Sequence, residues 1–243
     1  MDRLLFTAVS GASRSLTQQE IHANNLANVN TQGFRSDLDK ALTQQIGGEG
    51  YASRYLAQPT QGGVDMTPGA MRETGRDLDI AVKGDGLITL RSGTREVYTR
   101  NGQIDINADG ELSVSGLPLE GDNGPIVLPP YSSLSIGEDG VITIVPEDGD
   151  IAAPMDIDRV KLVNIPASEL SKNEAGFLIT SAAFNPRDEE VKVAAGHLES
   201  ANVSAINEMV SSIALNRQFE AQIKMMKAAE DLANAGNRLI RGT

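Results

Sequence analysis

The chain has 243 residues, with no cysteine, no tryptophan, two histidines, four tyrosines and five phenylalanines. Lys+Arg is 21 against Asp+Glu 33, a net charge of −12. Disulfide scaffolds, cysteine nucleophiles and cysteine-ligated zinc are therefore excluded. Net acidity and scarce aromatics argue against a nucleic-acid binder, which needs clustered cations and stacking platforms.

The charge is uneven. Residues 1–50 carry four basic and five acidic side chains, and residues 197–243 carry five of each. Residues 51–196 carry 12 basic and 23 acidic ones, so the middle holds almost all the charge. A charged surface stays in water, whereas neutral ends are suited to packing against something. No segment reaches the roughly 20 apolar residues of a membrane helix. Asp2 and Arg3 cancel, and Thr7, Ser10, Gly11, Ser13 and Arg14 interrupt the apolar residues after them. By these rules no cleavable secretory signal is expected. Cytosolic residence is the consequence, unless export uses a route that removes no signal.

In chain order, residues 3–28 read as one amphipathic helix. Leu5, Val9, Ala12, Leu16, Ala23 and Leu26 form a stripe of spacings 4 and 3, with Gln19 in its gap. Asn28, Asn30, Thr31 and Gly33 break the helix. Residues 35–77 carry Gly, Pro and Gln with weak periodicity and read as an extended connector. Gly47-Gly48-x-Gly50 within it reads as a flexible loop.

From 78 to 183 the pattern is β. Strand-like runs fall at Asp79–Val82, Leu87–Leu90, Glu96–Thr99, Gln103–Ile106, Leu112–Val114, Ile126–Leu128, Leu134–Ile136, Val141–Ile144 and Arg159–Val163. Turn dipeptides separate them: Asp85-Gly86, Asn101-Gly102, Asp109-Gly110, Asp139-Gly140 and Asp148-Gly149. Such spacing predicts a sandwich or partly closed barrel. Residues 184–200 read as a second connector.

The chain then returns to helix. Ser204 is placed to cap it, and Glu208 to complement its dipole. Ile206, Met209, Val210, Ile213, Phe219, Ala221, Ile223, Met225, Leu232 and Leu239 continue the apolar pattern with no proline. More than thirty residues exceeds an ordinary globular helix and suggests a coiled coil or bundle. The expected class is α+β: long N- and C-terminal helices forming a coiled-coil-like bundle, with an inserted all-β domain of short strands. The expected divisions are a helical domain of 1–34 and 201–243, connectors at 35–77 and 184–200, and a β domain of 78–183.

Chemistry-bearing motifs are sparse. Asp105-x-Asn107-x-Asp109-Gly110 opens like a calcium loop, but its twelfth position is Gly116 where a bidentate Glu is needed. A hairpin turn explains it better. His22 and His197 lack ligand-spaced neighbours and read as surface or interface residues. The run Glu138, Asp139, Glu147, Asp148, Asp150, Asp156 and Asp158 reads as a solvated acidic face. No nucleophile elbow, phosphate loop or zinc-protease motif occurs. No catalytic residue, cofactor or metal site is expected.

The strongest motif is Ala23-Asn24-Asn25-Leu26-Ala27-Asn28-Val29-Asn30-Thr31-Gln32-Gly33-Phe34-Arg35. It resembles the signature of the flagellar basal-body rod and hook proteins. Gly75-Arg76-x-Leu78-Asp79, Tyr98-Thr99-Arg100-Asn101-Gly102 and Leu198-Glu199-Ser200-Ala201-Asn202 extend the resemblance along the chain. Ser200-Ala201-Asn202 departs from the adjacent Ser-Asn that the family often has. The opening residues and the length are most similar to the proximal-rod members.

The resemblance implies a structural subunit of the bacterial flagellar basal body, in the periplasm, polymerising helically through its terminal helices to transmit torque. Its partners would be copies of itself, other proximal- and distal-rod proteins, and the type III export apparatus. Nucleic acid and membrane insertion are not implied. The inner-tube contacts are expected at Leu5, Val9, Leu16, Leu26, Val210, Ile213, Ala221, Met225, Leu232 and Leu239. Asn25, Leu26, Asn28, Thr31, Gly33 and Phe34 are expected to shape the turn leaving the first helix. A distal-rod or hook-type axial protein, an enzyme with a β-domain pocket, and a β-sandwich adhesin are the competing readings.

Overall fold

A computed structural model describes residues 2–45, 55–147, 153–182 and 185–242. The glycine loop at 47–50, the Asp148-Gly149 turn, Asp150 and the side chain of Leu239 lie outside the described residues. The fold is α+β, with helices at both ends and many short strands between. The chain divides into two compact units.

The first unit comprises residues 1–27, 37–62 and 204–243. It contains helix α1 (Asp2–Ala27), helix α2 (Ala205–Arg241) and a two-stranded sheet of Asp37–Gln45 with Tyr55–Val64. The helices run antiparallel: His22 meets Glu208 at one end, and Gly11 lies against Gln222 further along.

Small side chains make this pairing. Ala8, Ala12 and Ser15 of α1 are buried, as is Ala229 of α2. A Cβ on Gly11 would lie 2.9 Å from Gln222 Nε2, so the missing side chain sets the approach. Spacings of 4 and 3 put these positions on one stripe. It shares Ala12 with the expected stripe but otherwise lies one residue earlier in the repeat. Leu5, Val9 and Leu16 consequently face outward.

The second unit comprises residues 28–36 and 63–203. Its described strands form one five-stranded sheet, two three-stranded sheets and several pairs. The five-stranded sheet is ordered Leu162–Val163, Leu87–Ser92, Arg95–Thr99, Leu178–Thr180, Leu170–Lys172. A main core gathers Ile80, Ile88, Leu90, Ile104, Leu112, Leu119, Ile142 and Val160, all essentially inaccessible. Each such aliphatic side chain contributes about 1.5–3 kcal/mol on burial.

Several expected strands change. Ile126–Leu128 is no ladder strand: Ile126 bonds Leu112 and Leu119, Leu128 N donates to Gly110 O, and Val127 makes only a bridge to Glu111. It pairs with Gly110–Leu112 through a single bridge, and its apolarity reflects burial of Ile126 and Leu128. Gln103–Ile106 reduces to Asp105–Ile106, while Gln103 bridges Asp79. Arg159–Val163 splits between two sheets, with Met155–Arg159 on Val141–Pro146 and Leu162–Val163 on Leu87–Ser92. Val160 and Lys161 make the crossing and bond Gly140 and Glu120.

Strands also occur where the sequence predicts connectors. Met71–Glu73 pairs with His197–Glu199, and Lys192–Ala195 pairs with Ile80–Lys83. Asp37–Gln45 and Tyr55–Val64 also fall in the expected 35–77 connector; the runs of three or four residues are too short to show alternation.

The two helix stripes should respond oppositely to substitution. Ala12→Leu should destabilise the helix pair by about 1–3 kcal/mol through overpacking. Leu16→Ala, on the exposed stripe, should stay within about 0.5 kcal/mol. Urea unfolding of the isolated chain, followed by helical circular dichroism, distinguishes the two.

Candidate assembly site

Two features emerge: an apolar surface on the helices of the first unit, and a buried ionic knot in the second. The outward stripe of α1 holds Leu5, Phe6, Val9 and Leu16, the last 46% exposed. On α2, Val210 is 62% and Leu232 66% exposed, and Ile213, Ala221 and Met225 are also open. Leu26 is half-buried. Of the ten expected contact positions, the nine with described side chains are therefore at least partly open in the single chain. A polar link joins the helices at their sequence-motif end. His22 Nδ1 and Glu208 Oε2 are 2.5 Å apart, with both side chains partly covered. Ser204 occupies the cap position of α2 without a side-chain cap bond.

The asparagine motif works residue by residue. Asn25 is buried and treats Asp37 as a strand partner, donating Nδ2 to its carbonyl and accepting from its N–H at 2.9 Å. In the second unit, Asn28 starts a turn: its carbonyl accepts from Thr31 N, and its Oδ1 accepts from Thr31 Oγ1. Gly33 takes φ +66°, a left-handed conformation that suits glycine. A Cβ there would sit 2.2 Å from the Arg100 carbonyl carbon and Asn101 N. Phe34 lies beneath the Lys172 ammonium, 3.9 Å from ring centre to Nζ. Lys172 Nζ also donates to the Arg35 carbonyl.

Arg35 then enters the knot. Its Nη2 donates to Glu199 Oε1 at 2.7 Å, and Arg100 Nη1 donates to Glu199 Oε2 at 3.2 Å. Arg35 and Glu199 are 2% and 1% exposed. Glu199 also accepts from Gly69 N, and its carbonyl accepts from Gly33 N. Arg100 donates further to the carbonyls of Val82 and Gly84. Burial pulls the Arg100 guanidinium below its ordinary range; the Glu199 carboxylate opposes this and the Arg35 charge reinforces it.

Asn202 closes the arrangement. Its Oδ1 accepts from Ser36 N at 2.7 Å, and its Nδ2 donates to the carbonyls of Asp65 and Thr67. The intervening Ala201 thus leaves the asparagine in bonding position. No sequence signal pairs Arg35 with Glu199 across 164 positions. The residues stand in the quoted motifs, but their mutual contact comes only from the fold.

The remaining candidates resolve as structure. Asn107 Oδ1 accepts from Asp109 N and Glu111 N, which makes the calcium-like loop a side-chain-closed turn. The acidic run disperses among separate partners: Glu138 to Lys83, Asp139 to Arg159, Asp156 to Thr143 and Asp158 to Asn123. Arg76 braces Asp79 and the Ile104 carbonyl. His197 Nδ1 lies 2.9 Å from the Ala195 carbonyl. No described helix is long and apolar enough to cross a membrane.

Three family models match this chain. Residues 5–35 match a flagella basal body rod protein model. Residues 81–144 match a flagellar hook protein FlgE/F/G D1 domain, and residues 194–239 a flagellar basal body rod FlgEFG C-terminal model. Along its length the chain is 34% identical to the flagellar basal-body rod protein FlgF of Escherichia coli (strain K12), over 99% of both chains. The chain belongs to the flagellar basal-body rod protein family. The FlgF protein of Salmonella typhimurium (strain LT2) is equally similar, at 34% over 99% of both. The FlgG protein of Bacillus subtilis (strain 168) is 29% identical over 96% of this chain and 97% of its own.

Each of the three matched segments supplies one residue of the knot: Arg35, Arg100 and Glu199. The fold thus joins in space three residues from separately matched segments. Glu199→Ala should leave two buried guanidinium groups uncompensated and cost about 3–5 kcal/mol. Asn202→Ala should cost about 1–3 kcal/mol through unpaired backbone groups. Denaturant titration of the purified variants measures both.

Proposed function

We propose that this protein is a structural subunit of the bacterial flagellar rod, in its proximal part, and that it polymerises helically through its terminal helices. The observation that carries this reading is the outward apolar surface of α1 and α2. Small residues are spent on pairing the chain's own helices, and Leu5, Val9, Leu16, Val210, Ile213, Met225 and Leu232 are left open. Exposed large aliphatic residues on both helices suit a partner surface. Leu26, Ala221 and Leu239 are assigned to the same interface. Neighbouring copies and other rod proteins cover this surface, as a coiled-coil-like inner layer. A heterologous contact of this kind propagates because its rotation does not close a ring.

The charge distribution supports the same reading. The near-neutral ends enter the assembly, and the acidic middle keeps the outer part solvated. Torque passes through many repeated contacts, none strong alone, and no catalytic step is involved. A cysteine-free chain suits unfolded passage through the flagellar type III export apparatus into the periplasm. Two FlgF relatives at 34% identity, against 29% for a FlgG protein, support the proximal position.

The test is complementation of a strain lacking this gene. The double variant Val210→Asp, Ile213→Asp should be exported yet give non-motile cells with basal bodies lacking the subunit. Purified variant and wild type should show matching urea transitions for the β unit. Motile cells carrying the double variant would refute assembly through α2.

A further inference from the structure

The chain contains two Asn-Gly steps, Asn101-Gly102 and Asn123-Gly124. Glycine after asparagine leaves the backbone nitrogen open to intramolecular attack on the side-chain amide. The fold treats the two steps differently, and we propose that Asn123 is a site of spontaneous deamidation while Asn101 is protected.

Asn123 is exposed in the two-residue turn between Glu120–Gly121 and Gly124–Pro125. Its side chain has one long bond, Nδ2 to Asp158 Oδ1 at 3.4 Å, and its N–H has another to Asp158 Oδ2 at 3.4 Å. A Cβ built on Gly124 would meet nothing within 4 Å, so the turn has room to rearrange.

Asn101 is clamped. Its Oδ1 accepts from Gln103 N, its Nδ2 donates to Ser115 Oγ and its N–H donates to Thr99 Oγ1, all at 3.0–3.1 Å. Gly102 is buried, and a Cβ there would lie 1.7 Å from the Ile80 carbonyl oxygen. The Gly102 carbonyl in turn accepts from Ile80 N. The ring closure needed for attack would have to break this packing.

The chemistry requires only water. The Gly124 nitrogen gives up its proton and bonds to the Asn123 side-chain carbonyl carbon. The carbon–nitrogen bond to the amide group breaks, and ammonia leaves with the proton. Water then opens the cyclic imide: cleavage at the side-chain carbonyl gives aspartate, and cleavage at the main-chain carbonyl gives isoaspartate. Either product replaces a donor to Asp158 with a like charge. Asp122 and Asp156 line the same cleft. The converted turn therefore loses its side-chain bond to Asp158 and is held to Met155–Arg159 mainly by Asp122 N on the Arg159 carbonyl.

The full-length folded chain, incubated in mildly alkaline buffer and mapped by peptide mass spectrometry, tests this. The amide-to-acid mass increase should accumulate at Asn123, at least about tenfold faster than at Asn101, because Asn101 must first open locally. In concentrated urea the two sites should convert at comparable rates. Equal rates in the folded chain would overturn the proposal, as would an intact Asn123 in a folded chain whose urea control converts. Asn123→Asp should raise hydrogen exchange at the 120–125 hairpin; unchanged exchange would overturn the predicted loosening.

Discussion

One buried carboxylate organises the second unit. Glu199 joins Arg35 and Arg100, two segments that are far apart along the chain, and takes the Gly69 N–H as well. Taking these charges out of water costs several kcal/mol per ion, and the Coulombic return depends on geometry. Here the geometry is tightly constrained. Gly33 admits no Cβ against the Arg100–Asn101 peptide, and Asn202 holds Ser36, Asp65 and Thr67 with one side chain. Such a knot contributes specificity more than net stability. A slipped register would strand a buried charge, so one arrangement of residues 28–36 and 198–203 is strongly selected. In the sequence these segments adjoin α1 and α2, the elements to which the assembly surface is assigned.

Within the first unit, side-chain size does the sorting. Ala8, Gly11, Ala12 and Ser15 allow α1 to approach α2 closely. An ordinary helical hairpin would put its large aliphatic residues in that seam, because burial of such a side chain stabilises by about 1.5–3 kcal/mol. This pair puts them outside. The inversion is costly for an isolated chain and is consistent with a helix layer completed by neighbours. It also accounts for the modest intrinsic stability expected of the pair, whose contact rests on small residues.

Much of this is legible in the sequence, and the misses have physical causes. Both helices fall within a residue or two of the expected bounds, because heptad-like periodicity over many turns is an unambiguous signal. The choice between two adjacent stripes is not legible. Periodicity marks Leu5, Val9 and Leu16 as a face, yet it cannot say whether the partner is the same chain or another. Short strands such as Met71–Glu73 are invisible because three residues carry no period. The motif residues stand out, and Gly33 and Phe34 act as turn and anchor. Arg35, Arg100 and Glu199 stand in the quoted motifs without a role, because an ion pair across 164 positions leaves no local trace.

The charge asymmetry is the point where sequence and fold meet. Acidic residues in the middle find separate partners: Lys83, Arg159, Thr143 and Asn123 each hold a different carboxylate. These four carboxylates have separate partners, so most of the acidity is spread over the surface. At the ends the reverse holds. His22 and Glu208 make a cross-helix polar link, and the outer faces carry exposed apolar residues among charges that nearly cancel. Electrostatic repulsion between copies would therefore act through the β unit and be least along the helices. If copies associate as proposed, that difference favours contacts through the helices over contacts between the acidic β units.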